Sequence, residues 1–161
     1  IEQDMSVTTA ESCTGGLIAS LITKEAGSSQ VFGAGFVTYA NASKQKVLEV
    51  PESELNSHGA VSEPVVRSML RGALDKASAD IGIAVSGVAG PGGGTEEKPV
   101  GTVWLAWGTQ AKNDAIRLQI PGSRERFQIL VAAIGLDLMR RQLLNLPPIP
   151  HYIKRFVYRN T

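Results

Sequence analysis

The sequence predicts an α/β fold: a three-layer α/β/α domain with a mixed β-sheet. Strand-like and helix-like segments alternate through residues 6–86, as crossover connections require. The run IGIAVS at 81–86 is continuously apolar, as in a strand covered on both faces. Two further strand-like segments then follow one another with no helix between them, so the late part of the sheet differs from the early crossovers.

The elements follow in order. Residues 6–11 read as a strand and 15–26 as a helix, with Leu17, Ile18, Leu21 and Ile22 on one face and Gly27-Ser28-Ser29 as its stop. Residues 31–40, VFGAGFVTYA, read as a second strand rich in Val, Phe and Tyr. Asn41 is the expected N-cap of a short helix at 42–49. Pro51 closes that segment, and 52–61 read as loop. Ser62-Glu63-Pro64 is a strong helix start, followed by Val66, Met69, Leu70, Ala73, Leu74 and Ala77 at helical spacing. After the 81–86 strand, GVAGPGGGTEEKP at 87–99 is a long glycine-rich loop. Strands at 101–108 and 114–120 precede a final helix at about 124–145, capped by Ser123.

At 161 residues the chain fits one domain, here 1–145, with a basic, proline-rich tail at 146–161 that reads as disordered or as an arm on a neighbouring subunit. A homo-oligomer, with a dimer first, is the expected assembly. A net charge of +1 provides no field for nucleic acid or an acidic membrane. No apolar run approaches the roughly 20 residues of a membrane span, and no signal peptide is evident. One cysteine excludes an internal disulfide and fits a reducing, cytoplasmic setting. Ile1 is not a start methionine, so the chain is expected to begin inside a longer product.

The stretch VTTAESCTGG at 7–16 carries the chemistry. A residue between a strand and the next helix faces the carboxyl edge of the sheet, where α/β proteins place ligands. The first amides of a helix have no internal partner and can hold an anion or oxyanion. Gly15 and Gly16 allow close approach to the backbone. Ser12 and Cys13 are thus candidate nucleophiles, with Thr14, Gly15 and Gly16 as candidate binding residues. The same residues also read as a capped helix start, with Cys13 a small buried hydrophobe.

A serine nucleophile needs a base. The only histidines are His58 and His151, the latter in the tail. Lys44, expected at the third position of its helix near the positive dipole end, can serve if its ammonium is destabilised. Tyr39, five residues earlier, can hold or relay the proton; the ordinary alternative is an exposed lysine and a structural tyrosine. The glycine-rich loop, with Gly87, Gly90, Gly92 and Gly93 after Ser86, suits an anion-binding concavity. It is not a Walker A loop, and no Cys/His pattern suggests zinc.

Four stretches together, VTTAESCTGG, GFVTYANASK at 35–44, HGAVSEPVV at 58–66 and SGVAGPGGGTEEKPVGTVW at 86–104, resemble the CinA C-terminal domain family over residues 6–145. The resemblance implies hydrolysis of the carboxamide of nicotinamide mononucleotide to nicotinate mononucleotide and ammonia, without metal or organic cofactor. It also implies a serine–lysine site, which maps onto Ser12 and Lys44 with Tyr39 beside them; Ser28, Ser29 and Ser86 also lie at element ends. Two other classes remain open: a non-catalytic module that senses pyridine nucleotides, and a thiol enzyme based on Cys13.

Overall fold

The computed structural model describes residues 1–157. Its elements are β1 (Val7–Glu11), α1 (Leu17–Thr23), β2 (Phe32–Val37), α2 (Asn41–Leu48), α3 (Glu52–His58), α4 (Glu63–Ala77), β3 (Ile81–Gly87), β4 (Thr102–Gly108), β5 (Asn113–Gln119) and α5 (Arg124–Leu143), with 3-10 turns at Ser28–Gln30 and His151–Phe156. The sheet order is β2-β1-β3-β4-β5. β1 pairs in parallel with β2 and β3, while β3–β4 and β4–β5 are antiparallel, so the sheet is mixed as expected.

The sheet separates two apolar layers. On one face Ala10, Ala84 and Ala106 meet Val66, Met69, Leu70 and Ala73 of α4, together with Leu48 of α2 and Leu55 of α3. The small strand residues let α4 lie close to the sheet. On the other face Ile83, Val85 and Leu105 meet Ile18 of α1 and Phe127, Val131, Ile134 and Leu138 of α5. β3 lies at the centre and is buried along nearly its whole length, which is why it reads as an unbroken apolar run.

Gly72 of α4 lies against the carboxyl end of α2, and a Cβ there would overlap the Leu48 carbonyl oxygen. Backbone cannot swing aside as a flexible side chain can. Gly72→Ala is therefore expected to destabilise the fold by about 1–3 kcal/mol despite its better helix propensity. Urea unfolding checks this, and a variant as stable as the parent would show that α2 shifts freely.

Three expectations change. Residues 52–58, expected as loop, form α3, which follows Pro51, has Glu52 and Glu54 in its first turn, and ends at Gly59 with a φ of 73°. Its one buried apolar residue, Leu55, gives no periodicity to read. α1 is shorter than expected because Gly15 and Gly16 have φ of 62° and 99°, outside helical space. Ala40, not Asn41, occupies the N-cap of α2, with no side-chain cap, and Asn41 is the first helical residue.

The tail packs on its own chain. Ile153 and Phe156 are buried in the α1/α5-side core, and Val157 bridges antiparallel to Leu118 of β5. A disordered tail does not describe 149–157, which docks on its own chain; residues 158–161 lie outside the described residues.

Candidate active site

Strand register assembles the site. Glu11 pairs with Val37 on one side and Val85 on the other, so Ser12, Thr38 and Ser86 leave the carboxyl edge of three adjacent parallel strands side by side. α2 then carries Lys44 back over this edge. Helical side chains tilt toward the helix N-terminus, here toward Thr38 and Tyr39.

Lys44 is 1% exposed, one of the largest fully buried side chains. Its Nζ lies 3.1 Å from Ser12 Oγ, 2.8 Å from the Thr38 carbonyl and 3.2 Å from the Tyr39 carbonyl. All three partners are neutral oxygens, with no carboxylate among them. Burial without a counter-charge lowers the Lys44 pKa from its usual 10.5. Desolvation is the largest cause, and the one-residue shift of the N-cap moves Lys44 a position further into the helix than the sequence places it. A neutral amine has two N–H donors and one lone pair. As an ammonium Lys44 donates to all three oxygens; once deprotonated, it can keep its two N–H donors on the carbonyls and turn its lone pair to Ser12 Oγ.

The helix-end amides are used otherwise than expected. Glu11 is fully buried, and its carboxylate accepts from Thr14 Oγ1 at 2.6 Å and from the amides of Gly16 at 3.1 Å, Ile18 at 3.0 Å and Ala19 at 2.8 Å. The anion site at the start of α1 is therefore filled by the chain itself. Gly15 N–H donates to the Ser12 carbonyl and Leu17 N–H to that of Thr14. Among the described residues between Ser12 and Ala19, only the amides of Cys13 and Thr14 meet no acceptor on another residue, the Cys13 amide touching its own sulfur.

Cys13 is 3% exposed, and burial is the largest cause pushing its thiol up to about 12. It is a thiol at neutral pH, the form that does not attack.

A cavity of about 210 Å³ opens above Ser12, Cys13 and Lys44. Ala60, Val61, Ser86, Gly87 and Ala89 form its walls, with Tyr39 and Arg124 completing the lining. The Tyr39 side chain is 61% exposed, and its hydroxyl accepts from Arg124 at 3.1 Å; Lys44 meets its carbonyl, not its hydroxyl. Arg124 also donates to the Gly90 carbonyl at 3.0 Å, tying α5 to the glycine-rich loop. Ser86 Oγ donates to the Ala60 carbonyl at 2.7 Å.

Gly87 packs against β4, where a Cβ would come 2.7 Å from the Thr102 carbonyl oxygen, and Gly90 packs against Val100. Gly92 and Gly93 are exposed and outside the cavity lining; Ser28, half-buried, and Ser29, exposed, lie outside it as well. Two larger cavities, about 450 and 380 Å³, adjoin Met5 away from this edge and include neither Ser12 nor Lys44. Among the described residues no group of three or more His, Cys, Asp or Glu side chains could hold a metal ion, and no helix is long and apolar enough to cross a membrane.

Sequence reasoning gave no role to Glu11, Arg124 or Gln128. Arg124 carries a signal, since a cation in the first turn of a helix opposes the dipole and calls for another reason to be there. Glu11, an acid that ends a strand rich in β-branched residues four positions before a double glycine, carries a weaker one.

Comparison with known proteins agrees with this architecture. The model of the CinA C-terminal domain matches residues 1–143. The nicotinamide-nucleotide amidohydrolase PncC of Escherichia coli K12 is 49% identical over 140 residues, 86% of this chain and 85% of that protein. The CinA-like protein of Colwellia psychrerythraea is 57% identical over 152 residues, 94% of this chain but 35% of that protein, so the chain spans about a third of that longer relative. Among solved structures, competence damage-inducible protein A of Klebsiella pneumoniae superposes with a TM-score of 0.86 at 37% identity, covering 91% of each chain.

Proposed function

Because the chain belongs to the CinA C-terminal domain family, we propose that it hydrolyses the carboxamide of nicotinamide mononucleotide to the carboxylate and ammonia, with Ser12 as nucleophile and Lys44 as base. The observation that carries the reading is the 3.1 Å contact between Ser12 Oγ and a buried lysine without a counter-charge. The naming of PncC relatives, of which the chain covers most, supplies the substrate class.

In this mechanism neutral Lys44 takes the Ser12 hydroxyl proton as Oγ bonds to the amide carbon. The carbonyl oxygen becomes an oxyanion and is held by backbone amides. Collapse breaks the carbon–nitrogen bond, and the Lys44 ammonium returns its proton to the departing ammonia. Lys44 next deprotonates a water, which attacks the Ser12 ester and releases the carboxylate. Arg124, a cation at the cavity, is suited to the substrate phosphate, and Tyr39 steadies it there rather than relaying protons. Ser86 and Gly87 contribute wall, while a binding role for Gly92 and Gly93 requires the loop tip to move inward.

Ammonia release from nicotinamide mononucleotide by the purified protein tests the reading; binding without turnover would instead favour the sensing module. Two further outcomes are expected. Cys13→Ala should keep turnover within about threefold, because its thiol is un-ionised and loses only packing; loss of activity in a folded variant would restore the thiol mechanism. The pH profile of kcat/KM should rise with pH through the Lys44 pKa, with its midpoint below 10.5, since the protonated amine cannot accept a proton. A profile flat across this range would remove Lys44 as base.

A further inference from the structure

Between Ser12 and Ala19, two amide N–H groups meet no acceptor on another residue, and one contact from outside the corner bears on their direction. Gln128 of α5 donates from Nε2 to the Cys13 carbonyl at 2.8 Å, across 115 residues of sequence. The Cys13–Thr14 peptide is trans, because the one cis bond among the described residues is Gly90–Pro91. In a trans peptide C=O and N–H point in opposite directions. Gln128 therefore fixes the Thr14 N–H to face away from α5. The Ser12 carbonyl, held by the Gly15 amide, fixes the Cys13 N–H in the same way.

Thr14 is 4% exposed and Cys13 3%, so both amides are withdrawn from bulk water; neither meets an acceptor on another residue, and the Cys13 amide touches only its own sulfur. Buried N–H groups in this state are rare and call for an explanation. The explanation is not the end of α1, whose amides are spent on Glu11. It fits the chemistry of the adjacent residue, because a serine at a strand-to-helix turn uses the amide of the following residue for its oxyanion.

We propose that the Cys13 and Thr14 amides are the oxyanion donors beside Ser12, and that Gln128 is a positioning residue that aims the second by holding the far side of its peptide. The inference rests on the serine-hydrolase reading of the site. It also assigns Glu11 a complementary part. By taking the Gly16, Ile18 and Ala19 amides, Glu11 leaves the corner two free donors instead of five.

Pyridine-3-boronic acid tests this without requiring turnover. Boron accepts Ser12 Oγ, Lys44 takes the hydroxyl proton, and the resulting tetrahedral, anionic boron places an oxygen where the oxyanion would be. In the wild-type protein the boron resonance should move to its tetrahedral range, and the Cys13 and Thr14 amide proton resonances should shift downfield on binding. Gln128→Met keeps the length and loses the donor. It should bind the boronate about tenfold more weakly and lower kcat about tenfold or more, with KM for nicotinamide mononucleotide changed less than about threefold. A merely structural glutamine would not separate kcat from KM in this way. Equal boronate affinity in the variant, or no shift of the two amides in the wild type, overturns the proposal; the second measurement stands even if the variant fails to fold. A wild-type adduct with both shifts, but no ammonia from the nucleotide, supports the oxyanion assignment and sinks only the substrate.

Discussion

Ser12→Ala should lower ammonia release by about 10⁴–10⁶-fold, the scale seen when a serine nucleophile is removed. The fold should survive. Ser12 contributes one side-chain hydrogen bond, to Lys44, and Lys44 retains the Thr38 and Tyr39 carbonyls after its loss. A stability change of about 1 kcal/mol is expected on that basis. No other serine is placed to substitute: Ser86 Oγ is committed to the Ala60 carbonyl, and Ser28 and Ser29 lie in a 3-10 turn outside the cavity. Ammonia assays on protein whose melting curve matches the parent would decide the matter, and near-normal turnover would reject Ser12.

Lys44→Arg should be nearly as damaging as Lys44→Met, each losing about 10²–10⁴-fold in kcat, the usual contribution of a general base. Arginine retains positive charge but does not deprotonate in a protein. Methionine matches the apolar stem of lysine and suits a site that is 1% exposed, so it separates loss of the base from loss of packing. If Lys44 served only to attract the substrate anion, arginine would rescue and methionine would not. An active arginine variant therefore rules out proton transfer by this residue.

Much of this site could be read from one dimension because its parts sit at element ends. VTTAE runs into SCTGG, and a strand that stops at a double glycine announces a corner whatever its partners. The lysine was also legible, since no histidine was placed to serve as base. Its partner set was not. The carbonyls of Thr38 and Tyr39 are backbone groups, common to every residue type, and leave no trace in composition. For the same reason Tyr39 was read through its hydroxyl, whereas the contact with Lys44 uses its main chain. From α5, Gln128 reaches the corner across 115 residues and Arg124 reaches the glycine-rich loop across 34, proximities that the packing of α5 on the sheet creates and no short stretch of sequence shows. The tail misled through composition. Prolines and basic residues suggest disorder, yet Ile149, Ile153, Phe156 and Val157, spaced among them, are apolar and dock the segment on the core.

That docking bears on how the chain matures during synthesis. Within this domain β1, β2 and β3 are made before the later elements and can pair as a parallel core, and α1 and α5 then cover most of one face, but the part of that face under Ile153 and Phe156 stays open until they emerge. A nascent chain paused after α5 would present Leu118 and its neighbours to chaperones and proteases, because a transiently uncovered apolar surface is what both recognise.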